Sequence, residues 1–396
     1  MTNKLKNFLL LFLSIILSVY FLETLLSIQK LYQNNEIINT KKPTEKLSKS
    51  QNFDNRSKIE IYRDLKNENR ENDYIFNFVF KDIYIDRFNN YLKSENLVPL
   101  AGKSSSKVIH CNESGYWSIY DSDKYGFNNI NKLWDDNKKK LLLLGDSFTH
   151  GACVNYEFTL AGWFNKKIDD YSTLSLGSDA KGPILSLASL KEYYPKRLKH
   201  VVYFYYEGND LIDLKREKKN KILLKYFSDD SFSQNLKSKQ KIIDAAWQEM
   251  FLNSSYNLSK NRLNRFLKLR FVKENIRNIF FNSNYKKKIE RKDIKDLEKV
   301  ILKMKNFSLQ KNSKFTVVYL PSVHRYFEVN DNTFGYQSYD QVLEMFKNNK
   351  INYIDIKKLL FDKTDYPEEL FPLKKKNHYS ETTYEKIVEI VKKELF

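Results

Sequence analysis

Apolar positions follow different rules in different parts of this chain. Residues 8–28 (FLLLFLSIILSVYFLETLLSI) are apolar almost without interruption, broken by Glu23, and long enough for the ~20 residues that cross a bilayer core. Lys4 and Lys6 precede them, and no A-x-A-like cleavage site follows. This predicts a transmembrane helix over residues 1–28 that stays attached as a signal anchor, with a removed signal peptide as the alternative. Residues 29–72 are polar and lack sustained periodicity, which predicts a tether. Residues 73–137 are richer in aromatics and turn signals, such as Tyr125-Gly126-Phe127, and read as an extension packed on a core domain at 138–396.

In that core domain the period changes. Lys140-Leu141-Leu142-Leu143-Leu144 is a short continuous apolar run ended by Gly145, the pattern of a parallel strand buried on both faces. Similar runs follow at Thr173 to Leu176, His200 to Tyr206, Phe315 to Leu320 and Ile351 to Ile356. Amphipathic stretches separate them, near Phe158 to Phe164, Ile184 to Tyr194, 338–348 and from Glu381 to the end. Strand alternating with helix predicts a parallel sheet in a three-layer α/β/α sandwich. Residues 212–311 break the alternation: they are lysine-rich and helical in pattern, and read as a helical insertion with a solvated basic face, or as a lid or membrane-facing surface.

Composition changes this picture little. A hydrophobic fraction of 41% suffices for a sizeable core, which excludes a disordered chain. Net charge is +19, but lysine exceeds arginine and the excess is spread along the chain instead of forming one stripe. With no zinc-finger spacing, RNP-like strand or basic zipper, nucleic acid is not an expected partner. The two cysteines, Cys111 and Cys153, fit one disulfide tying the extension to the core, which needs an oxidising compartment; two unrelated thiols are the other reading.

Chemistry belongs at the carboxyl ends of the parallel strands. Ser147 stands two residues past the first strand, where its hydroxyl can be exposed and its own N–H can face an oxyanion. Asn209, in the turn Gly208-Asn209-Asp210 after the third strand, can supply a neutral amide donor. His378 lies in a loop just before the last helix, with Ser380 as that helix's N-cap, and can reach Ser147 as a general base. No histidine pair or Cys/His cluster has metal-ligand spacing, and neither a P-loop nor a dinucleotide glycine fingerprint occurs. Neither a metal nor a cofactor is expected.

Taken in order, GDSFTHGACV, KGPILSLASLKEYY, YYEGNDL and the late histidine resemble the SGNH (GDSL-like) hydrolases, in particular a bacterial membrane-anchored branch. The resemblance covers roughly 138–212 and 314–396. It implies a flavodoxin-like sandwich, a Ser147 nucleophile, a His378 base, and an oxyanion hole of the Ser147 N–H, a second-loop N–H and the Asn209 amide. That second-loop donor falls at Ala180, where the family has glycine, with Gly177 and Gly182 as alternatives; an alanine serves if its φ is negative. Glu207 replaces the glycine of the family's third block. Lys375 occupies the position of the family's triad carboxylate, so either a backbone carbonyl orients His378 or Asp365, Glu368 or Glu369 takes over. The resemblance implies a serine esterase or deacylase acting on an ester-bearing substrate; with the anchor and a disulfide placing the domain on the periplasmic side of the inner membrane, an O-acylated polysaccharide or envelope polymer is the expected substrate class. An O-acyltransferase and a degenerate tethered binding protein are the alternatives.

Overall fold

The computed structural model describes residues 3–40, 53–80, 82–92, 96–256, 266–281, 289–327, 335–375 and 378–396. The chain divides into two compact units, one of Met1–Phe53 with Leu252–Lys286, the other of Asp54–Phe251 with Lys287–Phe396.

The first unit is built on helix α1 (Asn3–Thr40). Within it Lys4–Ile28, 25 residues, is long and apolar enough to cross a membrane, a property that membrane spans and signal sequences share.

The second unit holds two sheets. Its larger sheet consists of β4 (Lys139–Leu144), β5 (Tyr171–Ser175), β6 (Leu198–Tyr206), β7 (Lys314–Leu320) and β8 (Tyr353–Asp355), all parallel, in the order β5-β4-β6-β7-β8. Counted from β4 this is 2-1-3-4-5, the flavodoxin-like order, with its switch point between β4 and β6. Alternate side chains on each strand feed two separate cores. Leu142, Leu144, Val201, Tyr203, Val317 and Tyr319 join one, and Leu141, Leu143, Val202, Phe204, Val318 and Leu320 the other. Both faces are covered, which explains why these strands read as continuous apolar runs and not as alternation.

The smaller sheet, β1 (Tyr74–Phe76), β2 (Lys107–Ile109) and β3 (Ile119–Asp121), pairs β1 with β2 in parallel and β2 with β3 antiparallel. Residues expected as tether pack against it. Helix α2 (Lys58–Glu68) opens with a capping box of Ser57 and Glu60 and buries Ile61 against Tyr74 and Ile109. Residues 41–52 of that expected tether lie outside the described residues.

The expected insertion is also redistributed. It is helical, but its last stretch, Arg291–Gln310, leads back into β7 and buries Ile294, Leu297, Val300, Ile301 and Met304 in the first core. It is a structural crossover helix whose other face happens to be basic. If so, Leu297→Ala will cost about 2–5 kcal/mol, the penalty for truncating a core leucine, whereas a solvated insertion helix would lose well under ~1 kcal/mol. Urea unfolding of the whole chain in detergent, read at its midpoint, measures the difference.

Candidate active site

The turn after β4 is shaped by one residue that lacks a side chain. Gly145 has φ +149°, and a Cβ there would lie 2.1 Å from Thr149 Oγ1 and 2.8 Å from the Phe204 carbonyl oxygen. The chain therefore passes close under β6 and begins the short helix α3 (Ser147–His150) at once, capped by Asp146, whose Oδ1 accepts the Phe148 N–H at 2.9 Å. Ser147 is half-buried at the first helical position.

His378 reaches it from the opposite end of the chain. Its loop is pinned by Tyr379, whose hydroxyl donates to the Pro321 carbonyl at 2.6 Å, and by Ser380, which caps helix α4 (Glu381–Leu395). The imidazole lies against Phe148, ring centroids 4.8 Å apart, and Phe148 is itself stacked on Tyr206 at 3.9 Å. Ser147 Oγ and His378 Nε2 are 2.9 Å apart.

Behind the ring stands a carboxylate that sequence reasoning missed. Both oxygens of Glu113 lie 3.1 Å from His378 Nδ1, and Glu113 Oε2 also accepts the His378 backbone N–H at 2.8 Å. A carboxylate at Nδ1 places the proton there, leaving the Nε2 lone pair to accept from the Ser147 hydroxyl. Burial opposes charge on both partners, and their mutual attraction overcomes it. The Glu113 carboxyl sits below its ordinary value and the His378 imidazole above its own.

The anticipated substitutes stay out of this line: Glu369 pairs with Lys374 at 2.7 Å, Asp365 is exposed, and the group that Nδ1 faces is neither of these nor Glu368. A signal for Glu113 was present. It is two residues from Cys111, whose sulfur lies 2.11 Å from that of Cys153 in the loop following the serine. Cys153, Glu113 and His378 hold ligand-type atoms within 4.8 Å of one another, but the Cys153 sulfur is committed to that bond.

Of the three second-loop candidates, two have their N–H groups engaged. Gly177 donates to Ser175 Oγ at 3.2 Å and packs so tightly behind α3 that a Cβ would meet the His150 nitrogen at 2.6 Å. Gly182 donates to Glu217 Oε1 at 2.7 Å. Ala180 stands between them with φ +58°, so the condition of a negative φ is not met: this alanine keeps the left-handed backbone that glycine adopts readily. Asn209 follows β6 and its side chain hydrogen-bonds the Asp146 carboxyl, while its Oδ1 is buried without a partner among the described residues. Burial pushes the Asp146 carboxyl up to about 7, against the Phe148 N–H that favours its charge.

Glu207 is fully buried and receives Arg325 Nε at 2.6 Å, Arg325 Nη2 at 2.8 Å, the Ser322 N–H at 2.6 Å and the Tyr319 hydroxyl. It ties the turn after β6 to the loop after β7. His150 is buried with Nδ1 3.3 Å from the Gly177 carbonyl, and burial pushes its pKa down to about 3, so it packs as a neutral ring.

No family model and no curated protein matches the chain. Solved structures do. A member of the lipolytic protein G-D-S-L family from Veillonella parvula matches at 13% identity and TM-score 0.36, covering 65% of this chain and 98% of its own. The lipase/acylhydrolase from Enterococcus faecalis matches at 13% identity and TM-score 0.35, covering 65% and 95%. A psychrotrophic esterase from Pseudoalteromonas matches at 10% identity and TM-score 0.32, covering 65% and 99%. Likeness at this level adds nothing to the geometry, which carries the reading on its own.

The coupling of Glu113 to His378 can be measured directly. Histidine NMR should titrate His378 above the ordinary ~6.5 in the native protein and at lower pH in Glu113→Gln, because the neutral amide no longer favours imidazolium. An unchanged midpoint would show that the carboxylate does not act on the ring.

Proposed function

We propose that the protein is a serine ester hydrolase working through an acyl-enzyme. The observation that carries this is the continuous contact from Glu113 through His378 to Ser147 at the carboxyl edge of a parallel sheet. Ser147 Oγ attacks the ester carbonyl carbon and gives its proton to His378 Nε2. The tetrahedral oxyanion is met by the Ser147 N–H, the Ala180 N–H and the Asn209 amide, each donor of this kind contributing about 2.7–4 kcal/mol in hydrolases where it has been removed. As the intermediate collapses, the carbonyl re-forms, the C–O bond to the alcohol breaks, and His378 returns the proton to the leaving oxygen. Water, activated by the same ring, then attacks the acyl carbon and frees the acid.

A hydroxyl of a second substrate can replace water in that last step, so the same site can run as an acyltransferase. The degenerate-scaffold alternative rested on Lys375 in the carboxylate position and on Ala180 in place of glycine, and Glu113 beside His378 speaks against the first of these. An uncleaved span at Lys4–Ile28 and a Cys111–Cys153 bond favour a single-pass inner-membrane protein with its catalytic unit on the periplasmic side. On that side O-acylated glycans and envelope polymers are the ester class within reach.

Full-length protein in detergent should hydrolyse p-nitrophenyl acetate, and Ser147→Ala should lower kcat by roughly 10⁴ or more. Equal rates for the two would sink the reading. Glu113→Gln should also lose up to ~10⁴ in kcat. Because the base works only when neutral, activity rises with pH through the His378 pKa; lowering that pKa moves the acid limb of the variant's profile to lower pH.

A further inference from the structure

Glu23 is unexplained by the catalytic reading. It interrupts the apolar part of α1, yet it is completely buried. Its carboxylate accepts two backbone N–H groups, from Phe271 at 3.0 Å and Val272 at 2.8 Å. These belong to the first turn of helix α5 (Arg270–Phe281), within the same compact unit. One turn earlier along α1, the Tyr20 hydroxyl donates to the Leu267 carbonyl at 3.1 Å and its ring lies 5.6 Å from that of Phe266. The segment 266–272 is therefore fastened to α1 at Tyr20 and at Glu23. A carboxylate is costly inside hydrocarbon unless donors satisfy it, and the N-terminus of a helix supplies both donors and favourable dipole.

The level of this attachment follows from helix geometry. Lys4 and Glu23 are separated by 19 residues, about 28 Å at about 1.5 Å per residue, close to the ~30 Å of a hydrocarbon core. If Lys4 and Lys6 mark one boundary, Glu23 stands at the other. The surface around it suits that level. Leu267 is 52% exposed and Ile276 48%, and Phe21, Leu25 and Ile28 of α1 are exposed too, whereas Lys268, Arg270 and Lys273 are exposed cations of the same segment. At 3.6 residues per turn, Phe271, Val272 and Ile276 fall on one side of α5 and Arg270 and Lys273 on the other.

We infer that α5 is an interfacial helix: clamped to the membrane span by Glu23, it lies along the bilayer boundary opposite Lys4, its apolar side among the acyl chains and its cations at anionic headgroups. This rests on the proposed reading of Lys4–Ile28 as a retained membrane span.

The test places single nitroxide labels on full-length protein in vesicles of phosphatidylcholine with phosphatidylglycerol. Cys111 and Cys153 are paired, so introduced cysteines at Leu13, Ile276 and Lys273 are the reactive thiols. Power saturation with oxygen and with a nickel chelate reports depth. Expected are a deep label at Leu13→Cys, a shallow but oxygen-favoured label at Ile276→Cys, and a chelate-accessible label at Lys273→Cys. A deep Leu13 label with an Ile276 label open to chelate overturns the interfacial helix and leaves the span standing. An accessible Leu13 label overturns both. In the Ile276→Cys background, Glu23→Leu should raise chelate accessibility at least about twofold; an unchanged value would remove Glu23 as the clamp.

Discussion

The candidate active site depends on one short run from outside the parallel sheet, His110 to Glu113, and on how firmly it is fastened there. Cys111 bonds Cys153 in the loop behind the serine, His110 Nε2 lies 3.0 Å from Asp179 in the loop that carries Ala180, and Glu113 holds the histidine of the base loop. Three loops of the second unit, far apart in the chain, are thus set by a run of four residues. Closing 42 residues of chain with the disulfide restricts the unfolded state by about 4 kcal/mol in the loop-entropy account. That offsets part of what it costs to bring a carboxylate and an imidazole out of water.

The sandwich was legible because its signal is physical and local. A strand covered on both faces must be apolar at every position, and five such runs marked five strands. The serine, the asparagine and the histidine were legible for a related reason: each sits where a strand or helix begins or ends. Glu113 obeyed no such rule. It lies in an irregular loop, and its role follows from a covalent bond that the sequence suggested without showing what would travel with it. The helix Arg291–Gln310 was hidden by lysines on its outer face, which drew attention from the apolar stripe that packs on β7. The helix at Lys58–Glu68 had announced itself through Ser57 and Glu60, three residues apart, within a stretch otherwise polar enough to read as tether.

The second-loop donor is where a general rule gives way to local over-determination. An alanine at φ +58° carries a cost of about 1–2 kcal/mol, which a free loop would relieve by rotating. This loop cannot rotate. The Phe80 N–H donates to the Asp179 carbonyl at 3.0 Å, Arg216 Nη2 to the Ala180 carbonyl at 2.7 Å, and the buried Lys181 ammonium position donates to Leu100 O, Leu176 O and Ser189 Oγ at 2.8, 2.7 and 3.0 Å. Burial pushes the Lys181 pKa well down, against the pull of the Glu217 carboxyl, and the three acceptors hold the loop through its N–H groups. Although burial opposes it, the facing His110 holds the neighbouring Asp179 carboxyl well below its usual range. The peptides on either side of Ala180 are therefore held, the preceding one by the extension through Phe80, with Asn77 and His110 on the Asp179 side chain, and the following one by Arg216. Fixed donors stabilise a developing oxyanion without reorganising. The same extension that supplies the missing carboxylate thus also keeps a strained alanine in the backbone conformation that glycine reaches at little cost.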